Sequence, residues 1–178
     1  MNLKNKCLFL DRDGILNEAE IIDGFPHPPK SLASLVITPC ARDIIARVTK
    51  LGYYTICVSN QPDIARGTQD FSEVVKINNF LLDNFTIDDI YFCPHDDEDN
   101  CNCRKPKIGM FEMARSKYKI DLSKSFMLGD TWRDIYAGNN AGCKTIFLDK
   151  NYEMEKPKNA DYYIKNIEDI LEVILNGN

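Results

Sequence analysis

The sequence predicts an α/β fold in which a parallel sheet is covered by helices on both faces. Short apolar runs alternate along the chain with longer segments of helical periodicity, which is typical of βαβ units. The composition, with 44% hydrophobic and 28% charged residues, is that of an ordinary globular protein. A length of 178 residues suits one domain with a substantial core, so we expect a single domain over residues 1–178.

The predicted strands are the apolar runs Cys7–Leu10, Tyr54–Val58, Ile90–Phe92, Phe126–Leu128 and Thr145–Leu148. The predicted helices are Ala41–Leu51, Phe71–Phe85, Gly109–Tyr118, Trp132–Ala141 and Ile167–Leu175. The first helix has the clearest signals, with Thr38 as N-cap, Pro39 at the first helical position and Gly52 as the stop. The proline-rich segment 25–29 is predicted to be an ordered loop above the carboxyl edge of the sheet, where ligands bind in such folds.

Charge and hydropathy argue against two classes of function. The formal net charge is −5 and no basic stripe with interleaved aromatic residues occurs, so nucleic acid is not an expected partner. No apolar run approaches the roughly 20 residues of a membrane span, and the first residues lack the features of a signal peptide. We therefore expect a cytoplasmic protein. The seven cysteines are an odd number, which favours reduced thiols or metal ligands over a disulfide framework.

Two carboxylates follow the first predicted strand. Asp11 and Asp13 are two residues apart, so in extended backbone they face the same side, and Gly14 permits a sharp turn after them. Two negative charges this close favour a hard cation such as Mg²⁺, and a metal-neutralised carboxylate pair suits phosphate chemistry. The alternative is a solvated acidic turn.

Polar side chains also end two other predicted strands, at the same edge of the sheet. Ser59 and Asn60 end the second strand, and Asp130 follows the fourth. Asp134 is predicted to support Asp130 from the opening turn of a helix. With Lys105, these groups supply the donors and the positive charge that phosphoryl transfer needs. The sequence therefore predicts a phosphate site.

Four motifs, DRDG, SN, K and GDxxxD, resemble in their order those of the haloacid dehalogenase superfamily of aspartate-nucleophile phosphatases, over nearly the whole chain. The resemblance implies a Rossmann-like three-layer sandwich. It also implies that Asp11 is the nucleophile, that Asp13 is first the general acid and then the general base, and that Ser59 and Lys105 bind the transferred phosphoryl group. An aspartyl-phosphate intermediate divides one difficult displacement into two easier ones.

The same resemblance implies a Mg²⁺ site, and the spacing of the motifs limits the size of any cap domain. The ion would be held by Asp11, the backbone carbonyl of Asp13 and Asp130, with Asp134 ordering its surroundings. The residue after the DRDG glycine is usually threonine in this superfamily and is Ile15 here. Only 45 residues separate the first motif from the second, and 45 the second from the third. No large cap domain is therefore expected, and specificity should come from short loops.

Three cysteines and a histidine lie within eleven positions, at Cys93, His95, Cys101 and Cys103. Structural zinc is tetrahedral with such ligands, and this set would leave no open position for catalysis. Because the cluster runs directly into the Arg-Lys-Pro segment that contains the site lysine, we expect it to stabilise that loop. The alternative is a set of reduced thiols beside the acidic run 96–99, which would then hold a weakly bound cation.

The zinc loop and a nearby segment narrow the resemblance. Cys93–His95, Cys101–Met110 and Ile64–Gly67 are similar to the zinc-containing heptose bisphosphate phosphatases, which in turn resemble histidinol-phosphate phosphatases. The resemblance implies removal of the 7-phosphate from D-glycero-D-manno-heptose 1,7-bisphosphate, on the route to nucleotide-activated heptose for surface polysaccharide. Pro62-Asp63 stands where that group commonly has Ser-Gly, which alters the substrate-facing loop, so either anomer is a candidate substrate. The alternatives are a histidinol-phosphate phosphatase, another small sugar-phosphate phosphatase, and a non-catalytic, zinc-stabilised phosphate-binding regulator.

Three residues are expected to contact the substrate: Asn60, Arg66 and Arg104. The Arg104 guanidinium suits bidentate contact with the second phosphate or with a sugar oxygen. The alternative interpretation is that Arg104 is a surface residue that pairs with the acidic run 96–99. The expected partner is a small phosphorylated sugar, without nucleic acid or membrane, and we expect a monomer.

Overall fold

The computed structural model describes residues 5–177, and within them the chain forms eight strands and five α-helices. The strands are β1 (Cys7–Leu10), β2 (Glu20–Ile22), β3 (Phe25–His27), β4 (Tyr54–Asn60), β5 (Asp89–Cys93), β6 (Phe126–Gly129), β7 (Lys144–Leu148) and β8 (Tyr162–Ile164). The helices are α1 (Ala41–Lys50), α2 (Phe71–Asn84), α3 (Gly109–Tyr118), α4 (Trp132–Ala141) and α5 (Ile170–Asn176). Residues 1–4, on which the expectation of a cytoplasmic location partly rests, lie outside the described residues, as does residue 178.

Six strands form one sheet in the order β5-β4-β1-β6-β7-β8, and every neighbouring pair is parallel. The residues of β1 alternate between two cores. Leu8 and Leu10 pack with α1, α2 and α5, whereas Cys7 and Phe9 pack with α3 and α4. Because helices cover both faces, the strands are continuous apolar runs. The predicted fold class is confirmed.

The direction in which strands are added reverses at β1. The chain first adds β4 and β5 on one side of β1, and then β6, β7 and β8 on the other. In open parallel sheets, such a switch point leaves a crevice at the carboxyl ends of the strands. The residues that end β1, β4 and β6 therefore meet around this crevice.

A separate antiparallel hairpin, β2–β3, lies over the crevice. Its turn residues, Asp23 and Gly24, both have positive φ, at 50° and 80°, as tight hairpin turns require. The prediction of a loop over residues 25–29 is wrong in part, because the first three of these residues form β3. A proline is tolerated there, since a two-stranded hairpin leaves one edge of each strand unpaired. Pro26, His27 and Pro28 all line the crevice, so this part of the chain does lie above the sheet edge.

The first helix, α1, begins at Ala41 but without the predicted cap. Cys40 precedes it in the left-handed conformation, with φ of 61°, which interrupts helical geometry after Pro39. Thr38 contributes its backbone carbonyl, which accepts a hydrogen bond from the N–H of Ala41 at 3.2 Å. Gly52, with φ of 82°, follows the helix end as predicted.

Two short elements near the C-terminus differ from the prediction. Helix α5 begins at Ile170, because residues 167–169 form a 3-10 turn, and β8 has no counterpart among the predicted strands. The β8 strand has only three residues and pairs along one edge, so it carries a weak apolar signal. The other predicted strands and helices agree with the structure to within two residues.

Among residues 5–177, no helix combines the length and apolar character needed to cross a membrane.

Candidate active site

Three carboxylates and a lysine meet where β1 and β6 end. Asp11 follows β1 directly, and its backbone N–H donates to the carbonyl of Leu128 in β6 at 3.0 Å. The Nζ atom of Lys105 lies 2.9 Å from Oδ1 of Asp11 and 2.5 Å from Oδ1 of Asp134. One oxygen from each of Asp11, Asp130 and Asp134 lies within 4.8 Å of the others. These oxygens could hold a hard cation such as Mg²⁺.

Burial opposes ionisation of two of these acids, Asp11 and Asp130. Desolvation, together with the charge of Asp134, raises the pKa of Asp11 to about 7, although Lys105 opposes the shift. Burial and the charge of Asp11 raise the pKa of Asp130 well above its usual value. One lysine does not compensate the charge of three closely spaced acids, so the electrostatics of the site favour binding of a divalent cation.

The start of α4 fixes the position of Asp134. Asp134 is the third residue of the helix, and its Oδ2 accepts hydrogen bonds from the backbone N–H and the hydroxyl of Thr131 at 3.0 and 2.6 Å. This is a capping box, and it leaves Oδ1 of Asp134 for Lys105. A Cβ on Gly129 would lie 2.2 Å from the Cβ of Asp134, so only glycine lets the strand end approach the helix this closely.

Two features require glycine at position 14: its backbone conformation and its close contact with Asp130. It has φ of 86°, which L side chains rarely adopt, and a Cβ there would lie 1.8 Å from Oδ2 of Asp130. The glycine of the first motif therefore both turns the chain after the two acids and leaves the space that Asp130 occupies.

Asp13 is held by three side chains on the far side of the turn. The guanidinium of Arg12 contacts both carboxylate oxygens at 3.0–3.1 Å, and the amides of Asn17 and Gln61 donate at 2.9 and 2.8 Å. Arg12 is completely buried and also donates to Oδ1 of Asn78 in α2 at 3.1 Å. This network fixes the carboxylate of Asp13 at the pocket wall, where its side chain keeps 16% of its exposure.

The end of β4 supplies a hydroxyl and two amides. The Nε2 atom of Gln61 donates to Oγ of Ser59 at 2.8 Å, which leaves the hydroxyl hydrogen of Ser59 able to point elsewhere. The amide of Asn60 contacts the backbone of Lys105 twice, donating to its carbonyl at 3.0 Å and accepting from its N–H at 2.9 Å. Asn60 thus lines the pocket and anchors the chain at Lys105.

Three guanidinium groups line the mouth of the pocket, whose volume is about 210 Å³. Arg66 contacts both oxygens of Asp96 at 2.6 and 2.8 Å, and Nε of Arg104 donates to Asp97 at 2.7 Å. Arg133 also contacts Asp97, at 3.3 Å. Arg104 therefore pairs with the acidic run, as the alternative prediction for this residue has it. It is also buried and lines the pocket.

Asp63, in the loop after β4, lines the pocket. Its carboxylate lies 2.7 Å from Nζ of Lys30, in the segment after the hairpin, and 3.3 Å from Nη1 of Arg66. Asp63 therefore places a negative group in the pocket wall and connects the hairpin segment to the loop after β4.

The cysteine cluster is compact. The sulfur–sulfur distances among Cys93, Cys101 and Cys103 are 3.1, 3.4 and 3.5 Å, and Nδ1 of His95 lies 3.6 Å from Cys93 and 3.4 Å from Cys103. Tetrahedral zinc at about 2.3 Å from each sulfur needs sulfur–sulfur separations of roughly 3.8 Å. The four groups could therefore hold one zinc ion after small movements, with all four positions filled by protein.

The residues in or beside the site that the sequence prediction missed include Arg12, Gln61, Arg133 and Tyr152. Arg12 and Gln61 lie inside the motifs, and a charged or amide side chain next to a buried strand signals a polar partner. Arg133 lies inside the GDxxxD motif, at one of its variable positions. Tyr152, whose hydroxyl donates to Asp130 at 2.7 Å, is in a loop far along the chain, and no local pattern marks it.

The fold and the site together define a class of protein. A parallel sheet with aspartates after β1 and β6, and a lysine between them, is the arrangement of the haloacid dehalogenase-like hydrolases. In agreement, a family model described as HAD-hydrolase-like matches residues 102–170.

Individual relatives cover nearly the whole chain. It is 33% identical to D-glycero-beta-D-manno-heptose-1,7-bisphosphate 7-phosphatase of Haemophilus ducreyi, over 95% of this chain and 98% of the relative. It is also 33% identical to D-glycero-alpha-D-manno-heptose-1,7-bisphosphate 7-phosphatase of Campylobacter jejuni, over 95% of each chain. The crystal structure of D,D-heptose 1,7-bisphosphate phosphatase from B. bronchiseptica, complexed with magnesium and phosphate, matches with a TM-score of 0.80 and 28% identity, over 97% and 99% of the two chains. The chain belongs to the family of heptose-1,7-bisphosphate 7-phosphatases.

Proposed function

We propose that this protein is a Mg²⁺-dependent phosphatase that removes the 7-phosphate of D-glycero-D-manno-heptose 1,7-bisphosphate. The observation that carries the proposal is the carboxylate of Asp11, which lies 2.9 Å from Nζ of Lys105 at the carboxyl edge of the sheet. Family membership supports the choice of heptose bisphosphate as the substrate, because relatives that are named for this activity align along almost the full chain.

Asp11 is the nucleophile and Asp13 exchanges the proton. An oxygen of Asp11 attacks phosphorus, the bond from phosphorus to the sugar oxygen breaks, and the leaving oxygen takes a proton from Asp13. Water then attacks the phosphorus of the aspartyl-phosphate and gives a proton to Asp13, which releases phosphate and the free carboxylate of Asp11. Arg12 and Gln61 support this role, because they hold the Asp13 carboxylate at the pocket wall.

Two groups bind the oxygens of the transferred phosphoryl group. Lys105 supplies positive charge beside Asp11, and Ser59 donates its hydroxyl hydrogen, since its oxygen already accepts from Gln61. Asp134 supports Lys105, because its Oδ1 accepts a hydrogen bond from the Nζ atom of Lys105 at the start of α4.

Asp11, Asp130 and the backbone carbonyl of Asp13 would hold the Mg²⁺ ion. Hard oxygen donors of this kind fit the ion, and the acids need its charge. When bound, Mg²⁺ offsets the negative charge of the phosphoryl oxygens.

The effect of Mg²⁺ on stability should depend on pH. In the metal-free protein the pKa of Asp11 is about 7, against an ordinary value of 3.8. Between these values the folded protein holds a proton that the unfolded chain lacks, so the stabilising contribution of this group is lost as pH rises toward 7. Because Mg²⁺ binds the ionised form, the rise in Tm on adding Mg²⁺ should be small near about pH 5 and large near about pH 8.

Thermal unfolding with and without Mg²⁺ tests this dependence. An equal rise in Tm at the two pH values would contradict it. In Asp11→Asn the dependence should be weaker, because the titrating carboxylate is gone.

At the mouth of the pocket, Arg66 and Arg104 bind the second phosphate or a sugar oxygen, and Arg133 adds a third cation. Their guanidinium groups line the same pocket as Asp11. Asn60 contacts the substrate at the pocket wall and also orders Lys105. Relatives of equal identity are named for the beta and for the alpha form, so both anomers are candidate substrates.

Zinc bound by Cys93, His95, Cys101 and Cys103 is structural, because these four ligands complete its coordination. The participation of all six parallel strands in one sheet supports a single domain over residues 1–178. The protein acts in the cytoplasm as a monomer, on a small phosphorylated sugar, without nucleic acid or membrane.

A substrate panel tests the proposed reaction. With Mg²⁺, phosphate release from the heptose bisphosphate should be at least about tenfold faster, in kcat/KM, than from histidinol phosphate. Heptose 7-phosphate, which lacks the second phosphate, should lose efficiency through KM because the arginines at the mouth have no anion to bind. Both anomers of the bisphosphate belong in the panel. Faster hydrolysis of histidinol phosphate than of either anomer would contradict the proposal.

A further inference from the structure

Tyr152 contacts Asp130 from the loop that follows β7. Its hydroxyl donates to Oδ2 of Asp130 at 2.7 Å. The same oxygen lies against Gly14, where an added Cβ would be 1.8 Å from Oδ2 and 2.9 Å from the hydroxyl of Tyr152. One oxygen of the Asp130 carboxylate is therefore enclosed and hydrogen bonded, which leaves the other oxygen for a cation.

Contacts on both sides of Tyr152 hold its loop in place. Nζ of Lys150 lies 3.1 Å from Glu18, in the segment after the DRDG turn. The backbone N–H of Glu153 donates to the carbonyl of Gly24 in the hairpin turn at 2.9 Å. The side chain of Tyr152 is thus carried by a segment that is attached to the chain after β1, and its ring is half-buried.

Hydrogen bonds of this kind orient metal ligands. A carboxylate that can rotate presents its oxygens to an ion in many ways, whereas one fixed by a second group is ready to bind. Removing such an outer partner typically weakens metal affinity or activity by about 10- to 100-fold.

We propose that Tyr152 is a positioning residue for Asp130, holding this carboxylate so that its second oxygen faces Mg²⁺. The inference rests on the proposed function, which makes Asp130 a Mg²⁺ ligand. Tyr152 acts only through Asp130, so it should affect the affinity for the ion and not the chemical step once the ion is bound.

The test is Tyr152→Phe, which keeps the ring and removes the hydroxyl. We expect the Kd of Mg²⁺, measured by isothermal titration calorimetry, to rise about tenfold or more. The Mg²⁺ concentration for half-maximal phosphate release should rise in parallel, while kcat at saturating Mg²⁺ stays within about twofold of the wild type. The matched control is Tyr118→Phe, which also removes a tyrosine–aspartate hydrogen bond, to Asp89 at 3.1 Å, but on α3 and outside the pocket. Its Kd should equal that of the wild type.

The outcomes separate this inference from the proposed function. If the wild type binds Mg²⁺ and Tyr152→Phe binds it with the same Kd, the inference is wrong and the proposed function stands. The inference is also wrong if Tyr152→Phe lowers the Tm equally with and without Mg²⁺ and leaves the Kd unchanged. Tyr152 would then only contribute to packing. If the wild type itself neither binds Mg²⁺ nor releases phosphate, the proposed function fails, and the inference fails with it. Circular dichroism of both variants verifies that the fold is retained.

Discussion

Asp11→Asn is expected to reduce phosphate release by about 10⁴-fold or more, because an amide cannot form the aspartyl-phosphate. The change is nearly isosteric and keeps an oxygen beside Lys105, so the pocket should retain its shape. Rates measured with saturating Mg²⁺ and heptose bisphosphate give the size of the loss. Substrate affinity, measured separately by calorimetry, should change far less than turnover.

The fold should persist in this variant. In the metal-free protein the charge of Asp11 is opposed by burial and by Asp134, as its raised pKa records. Removing that charge should therefore leave the Tm unchanged or higher when Mg²⁺ is absent. Asp121→Asn is the matched control, since Asp121 caps a short turn after α3 and is not a pocket residue. Turnover near the wild-type rate in Asp11→Asn would remove Asp11 from its role. Phosphate binding without turnover in the wild type would favour the non-catalytic regulator.

Cys101→Ser is expected to destabilise the protein by about 3 kcal/mol or more, because it removes one of four zinc ligands. For a chain of this length such a loss corresponds to a fall in Tm of about 6–12 °C. Activity should fall as well. The zinc loop leads from Cys103 directly into Lys105, and the Asn60 amide holds the backbone of Lys105 from the other side. Thermal unfolding and elemental analysis measure the two effects.

The matched control for zinc is Cys40→Ser, an exposed cysteine at the start of α1 that is outside the cluster. We expect about one equivalent of zinc in the wild type and in Cys40→Ser, and much less in Cys101→Ser. If protein made in zinc-supplied cells contains no zinc, the cluster is a set of reduced thiols, and the structural role of the metal is wrong.

The parts of the fold that could be predicted are those in which burial controls the sequence. A strand covered on both faces must be apolar throughout, so β1 and β6 are visible as runs of hydrophobic residues. The polar residue that follows each run then marks the sheet edge. Asp11 and Asp130 are predictable for this reason, and the structure does bring them together, within 4.8 Å.

The parts that could not be predicted depend on contacts between distant segments. The hairpin strand β3 contains a proline and has no buried face, so its sequence resembles a loop. The partnership of Arg12 with Asn78 joins residues 66 positions apart, and that of Tyr152 with Asp130 joins residues 22 positions apart. Helix and strand periodicity relates only residues that are about two to four positions apart, and the residues of these two pairs are much farther apart along the chain.

Trapping of the covalent intermediate shows whether Asp11 carries the phosphoryl group during turnover. The wild-type protein is mixed with heptose bisphosphate and Mg²⁺, quenched and treated with borohydride, which reduces an acyl phosphate to an alcohol. Peptide mass spectrometry then identifies the reduced residue. We expect reduction at Asp11, and only when both substrate and Mg²⁺ are present. Reduction at a different aspartate, with Asp11 unmodified, would contradict it.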